Sequence, residues 1–191
     1  MKLITKKIAA LMALTLAGLP LWSHSQTLDT FNPGADSSVF ASALQPDGNL
    51  LAGGSFSNLC GQARAFIGRL KTDGTLDTTF NPATSGSILA LAVQTDGKIL
   101  AGGIYTNLGG LACTNIGRLN GNGTLDMTFN SGANNAAYAL TVQSNGQIVV
   151  GGAFTQLRGQ ARNFIGRLGA DGSLDSSFNP AANNVVLTLA L

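Results

Sequence analysis

One phrase of thirteen residues occurs three times at a fixed spacing. DGNLLAGGSFSNL (47–59), DGKILAGGIYTNL (96–108) and NGQIVVGGAFTQL (145–157) each begin 49 residues after the last. Phe31, Phe80, Phe129 and Phe178 keep the same interval, and so do Gly48, Gly97 and Gly146. The glycine pairs Gly53–Gly54, Gly102–Gly103 and Gly151–Gly152 do likewise, as do Arg69, Arg118 and Arg167. A period of this length confines the chain to repeat architectures, in which each unit buries its apolar face against the next.

Within one unit, residues 75–123, the pattern reads as four strands and two glycine-tipped hairpins. SILALAVQ (87–94) is apolar and stops at Asp96-Gly97, and KILAGGIY (98–105) follows. Asp-Gly between two apolar runs is a hairpin signal, here read as a type I′ turn with positive φ at both central residues. A glycine-containing loop (107–112) leads to NIGRLN (115–120), and Asn122-Gly123 turns the chain into TLDMTFN (124–130). The chain has no Glu, a strong helix former, and this composition leans towards an all-β, turn-rich chain.

Polarity rises across the four strands. The first is apolar on both faces, as in AAYALTV (136–142) and VVLTLAL (185–191), and the fourth is polar. A strand buried on both faces lies between layers and a polar one at a rim. The glycine pair in the second strand removes side chains where another backbone comes close. This order predicts an all-β fold, a β-propeller of four-stranded blades of about 49 residues. A β-solenoid is the competing repeat architecture, but its rungs are shorter and carry fewer hairpin turns. The predicted units run over about 27–74, 75–123 and 124–172, with a partial one at 173–191. Three full blades leave a ring incomplete, and an open edge invites self-association. The expectation is a piece of a longer reading frame, or a ring completed by another copy.

Residues 1–25 read differently. Lys2, Lys6 and Lys7 precede an apolar run, Ile8 to Leu21, and Ser23 and Ser25 suit a cleavage site. That is the layout of a secretory signal peptide, too short for a membrane span, so the domain is 26–191 and the expected location is secreted or cell surface. Without these three lysines, 8 basic residues face 9 acidic ones, all Asp. A nearly neutral chain gives no electrostatic reason to bind nucleic acid. The single histidine, His24, also falls in the leader.

Arg69, Arg118 and Arg167 are each followed eight residues later by Asp77, Asp126 and Asp175. A three-residue loop with Gly in the left-handed position pairs Leu70 with Leu76 and Arg69 with Asp77 across the hairpin. The structural reading is a cross-strand ion pair; the functional alternative is an arginine ring for an anionic ligand. NGNGTLD (120–126) lacks the acidic ladder and terminal Glu of a calcium loop. Cys60 and Cys113 are not equivalent, since Cys113 aligns with Arg64, but both fall in the loop after the second strand. An exported chain could oxidise them to a disulfide. Two Cys without His make a poor metal site, and no cofactor is expected. With neither His nor Glu in the domain, a Ser–His or Cys–His nucleophile is ruled out.

The pattern LDxxFNP, ALAVQxDGKILxGGxFTxLxG and IGRLxxDGxLD, spread over residues 27–191, resembles the delta-60 repeat of bacterial secreted proteins. The resemblance implies an exported or surface propeller with no established catalytic residues. Two function classes follow. One is a non-enzymatic module that scaffolds, or binds a protein or carbohydrate through variable loops such as NLCGQARA (58–65) and NLGGLACT (107–114). The other is a carbohydrate-active or lyase-type enzyme whose catalytic groups lie outside this chain. A purely structural filler without a ligand is the remaining reading.

Overall fold

The computed structural model describes residues 33–129 and 131–191. The leader, Phe31 and the strand expected at 27–32 lie outside them. Three units repeat one plan. The first holds β1 (Val39–Leu44), β2 (Leu50–Gly54), β3 (Asn58–Leu59), β4 (Gln62–Ala63) and β5 (Ile67–Leu70). The second holds β6 (Ile88–Val93), β7 (Ile99–Gly103), β8 (Asn107–Leu108), β9 (Leu111–Ala112) and β10 (Ile116–Leu119). The third holds β11 (Ala137–Val142), β12 (Ile148–Gly152), β13 (Gln156–Leu157), β14 (Gln160–Ala161) and β15 (Ile165–Leu168). Each unit is an antiparallel sheet of three strands in chain order, with a separate two-stranded hairpin between its second and third strands. These are propeller blades; blade 1 packs on blade 2 and blade 2 on blade 3, and the ring is not closed.

The turns differ from expectation in an instructive way. At Asp96-Gly97 only Gly97 has positive φ, +81°. The Gln94 amide donates to the Lys98 carbonyl at 2.9 Å and the Gly97 amide to the Gln94 carbonyl at 2.9 Å, which makes a three-residue loop. Asp96 is held at normal φ because its carboxylate accepts from the Lys98 amide at 3.1 Å. Both central residues do take positive φ at Cys60-Gly61, Gly109-Gly110 and Arg158-Gly159, the tips of the small hairpins. The type I′ geometry therefore sits one loop further along the chain.

The polar fourth strand contracts to one bridge per blade, Leu70 to Leu76, Leu119 to Leu125 and Leu168 to Leu174. Asp77 stops the strand: its carboxylate accepts from the Thr79 amide at 2.9 Å, which bends the backbone out of the ladder. Burial also peaks at the second strand rather than the first. Every residue of β7 and β12 is buried, whereas in β6 and β11 only two of six are. The second strand is the middle of its sheet, while the first is an edge strand. The segment 185–191, expected as a strand, belongs to no sheet, though the Val186 amide donates to the Gly152 carbonyl at 3.2 Å.

The core is divided among the junctions. Leu51 and Ile67 of blade 1 pack with Ile88, Ile99 and Leu119 of blade 2. Leu100 and Ile116 of blade 2 pack with Ala137, Ile148, Val150 and Leu168 of blade 3. The glycine pairs serve this stacking. A Cβ on Gly53 would lie 2.5 Å from Ile88 of the next blade, and one on Gly102 would lie 3.2 Å from Ala137. On Gly54, Gly103 and Gly152 it would collide with the backbone carbonyls of Ser38, Ser87 and Ala136 in the neighbouring strand. A bulge before Ala41, Ala90 and Ala139 brings that strand so close.

Candidate functional site

Two recurrent features could do chemistry: a polar latch at each blade junction and a rim of hairpin tips. The latch starts from the three-residue turn that fixes Leu76 opposite Leu70. That register sets the Asp77 amide on the Arg69 carbonyl at 2.8 Å and the two side chains on one face. Arg69 Nε donates to Asp77 Oδ2 at 2.9 Å, with Nη2 at 2.7 Å from the same oxygen. Arg118 with Asp126 and Arg167 with Asp175 repeat this at 2.9 and 2.8 Å.

Three partners were not foreseen from the sequence. Each guanidinium stacks on the phenylalanine that ends the unit: Arg69 on Phe80 at 4.4 Å, Arg118 on Phe129 at 4.5 Å, Arg167 on Phe178 at 4.6 Å. The glutamine that opens the first hairpin accepts from the arginine, Gln45 from Arg69 Nη1 at 3.5 Å and Gln94 from Arg118 Nη1 at 3.1 Å. The same Nη1 then reaches the next blade, donating to the Gly121 carbonyl at 2.6 Å from Arg69 and to the Ala170 carbonyl at 2.5 Å from Arg118. Gln45, Gln94 and Gln143 recur every 49 residues, so their spacing was an available signal. In blade 2, Lys98 adds a second cation to Asp126 at 2.9 Å.

These contacts settle the ionisation of the carboxylates. Burial pushes the Asp77 carboxyl up, but hydrogen bonds from Thr79 and Arg69 outweigh it and hold the group at about 2. Hydrogen bonds from Ser177 and Arg167 hold Asp175 at about 2. Burial also opposes ionisation of Asp126, and Thr128, Lys98 and Arg118 together keep it well below the usual carboxylate range. Nε and Nη1 of Arg118 both face protein oxygens, and the latch is a clasp between blades.

The rim is made by the small hairpins. Each is anchored by a short polar side chain in the segment entering the blade. Asp36 accepts from the Ser57 and Asn58 amides, Ser85 from Thr106 and Asn107, and Asn134 from Thr155 and Gln156. Three different residues thus perform one capping role, which obscures the repeat in the sequence. Between blades 2 and 3 lies an open groove of about 520 Å³, where Thr114, Asn134, Gln156 and Arg158 meet. The tip residue differs in every blade: Cys60, Gly109 or Arg158, each with positive φ.

The cysteines are free. Cys60 is at the hairpin tip of blade 1 and packs with its Phe56 and Leu59, whereas Cys113 belongs to the cluster between blades 1 and 2. The Cys113 thiol donates to the Ile116 carbonyl at 3.3 Å, and burial pushes its pKa up to about 11. It stands where blades 1 and 3 carry Arg64 and Arg162, opposite Tyr105 in place of Phe56 and Phe154. The two thiols, which an exported chain could oxidise to a disulfide, are not bonded to each other here and lie in different clusters. Among the described residues no three His, Cys, Asp or Glu side chains gather to hold a metal. No helix among them is long and apolar enough to cross a membrane.

Fold and latch together define a β-propeller repeat. A family model described as a domain of unknown function, DUF5122, β-propeller, matches residues 45–80, 94–129 and 143–178. The chain belongs to this family. Each matched stretch runs from the glutamine to the phenylalanine of one latch, so the family's own unit is bounded by the two ends of the clasp. No curated protein matches the chain.

Proposed function

We propose that this protein is an exported, non-enzymatic propeller module of the delta-60 type, a scaffold that meets a protein or carbohydrate ligand along its hairpin rim. The observation that carries the reading is how variation is distributed. Positions that recur in every blade are occupied by clasp, turn or junction contacts, while the hairpin tips and the groove beside Arg158 differ from blade to blade. Ligand contact belongs where the fold makes no demand. The leader pattern of residues 1–25 supports export, and the lack of His and Glu after it supports a role without catalysis.

The test is an array of neutral and acidic glycans probed with residues 26–191 and with Arg158→Gly, the residue blade 2 carries at this tip. Selective binding that weakens in Arg158→Gly at unchanged urea midpoint supports the rim. An identical binding profile for both proteins refutes it, and turnover of a bound glycan would transfer the protein to the enzyme class.

A further inference from the structure

We propose that the open face of blade 3 is a docking site for one further blade of this repeat, recognised by Gln143, Arg167 and Phe178. The two filled junctions show what a following blade supplies. It seats its first strand against the glycine pair, with Ile88 over Gly53 and Ala137 over Gly102. It offers a turn carbonyl to the arginine Nη1, from Gly121 or Ala170. It also presents a glycine to the latch phenylalanine: a Cβ on Gly123 would lie 3.2 Å from Phe80, and one on Gly172 would lie 2.6 Å from Phe129.

At blade 3 only the first of these is present. Val186 lies over Gly151, where an added Cβ would be 2.6 Å away, so residues 185–191 occupy the seat of a first strand. Among the described residues no turn carbonyl reaches Arg167, whose side chain is 23% exposed against 5% for Arg118. Gln143 Oε1 is buried with no hydrogen-bond partner, while Gln45 and Gln94 accept from their arginines. Phe178 is half-buried, whereas Phe80 and Phe129 are buried. Leu187 and Leu191 are 69% and 77% exposed.

The vacant contacts specify the occupant. A single added strand would pair with 185–191 but leave Arg167 and Gln143 as they are. An anionic ligand would bring a second negative charge beside Asp175, whose Oδ2 already accepts from Arg167 Nε and Nη2. A neutral main-chain carbonyl followed by a residue without Cβ is what both filled junctions use, and a glycine turn of this repeat carries both.

The experiment appends a second copy of residues 143–179 after Leu191, which continues the register of the repeat. The extended chain is expected to be monomeric by light scattering and to unfold at a higher urea concentration. In it, Arg167→Ala should lower the midpoint as much as Arg118→Ala does, whereas in the original chain it lowers it far less. An Arg167→Ala shift that is the same with and without the extension overturns the proposal. So does a stable dimer of the original chain that Arg167→Ala dissociates, because the face would then belong to a second copy. If the extended chain does not fold, the original chain still decides: an arginine-selective dicarbonyl should modify Arg167 faster than Arg69 and Arg118. Equal protection of the three would mean the face is already covered.

Discussion

Replacing Arg118 by Ala removes the centre of the clasp between blades 2 and 3. Arg118 is 4% exposed and connects Asp126, Gln94 and the Ala170 carbonyl while covering Phe129. Breaking a buried ion pair costs about 3–5 kcal/mol, because the remaining charge loses its partner in a poorly hydrated site. Here Asp126 keeps Lys98 at 2.9 Å, which places the expected cost near the lower end. With a urea m-value of about 2 kcal/mol/M, a loss of about 3 kcal/mol lowers the midpoint by about 1.5 M. Far-UV circular dichroism across a urea series measures it. Arg118→Ala/Lys98→Ala should fall further than the sum of the single changes, since only then is Asp126 stranded. If Arg118→Ala and Arg167→Ala lower the midpoint equally, the carbonyl of the next blade contributes nothing and the clasp argument fails.

Acid should loosen the clasps. Asp77 and Asp175 titrate near 2 in the folded chain, and Asp36 and Asp126 are held below the usual range, against about 3.9 when unfolded. The unfolded chain therefore binds protons first: the stabilisation is complete above about pH 4 and is lost as pH falls through about 2. A melting temperature that instead drops between pH 7 and 5 would contradict this assignment. Gly103→Ala places a Cβ on the Ser87 carbonyl and should abolish folding, whereas Gly97→Ala, with nothing within 4 Å but φ +81°, should cost about 1–2 kcal/mol. Calorimetry of the two variants checks the contrast, and equal losses would remove the packing argument. Non-reduced protein unfolded in alkylating reagent should take up two labels, while in native protein at pH 8 Cys113 labels slowly because its thiol ionises near 11. A product with no label and a cystine cross-link would restore the disulfide.

What the sequence by itself determined is local or periodic. The 49-residue recurrence fixed the repeat, and Gly-tipped turns between apolar runs fixed the hairpins. The pairing of Arg69 with Asp77 was legible because eight residues and one turn set the register of both arms. The turn type was not: Asp-Gly marks a reversal, but the bond from the Lys98 amide to Asp96 decides that only Gly97 goes left-handed. The stacking of blades decided the rest. Gln94 and Ala170 lie 24 and 52 residues from Arg118, and no local rule brings them together. The separation of Cys60 from Cys113 has the same origin, since each thiol follows the cluster that its own blade builds. The glycine pairs announced a close approach, and only the tertiary structure named the approaching atoms, Ile88 for Gly53 and the Ser38 carbonyl for Gly54. A sequence records which positions must be small or charged; which surface meets them depends on how one blade packs upon the next.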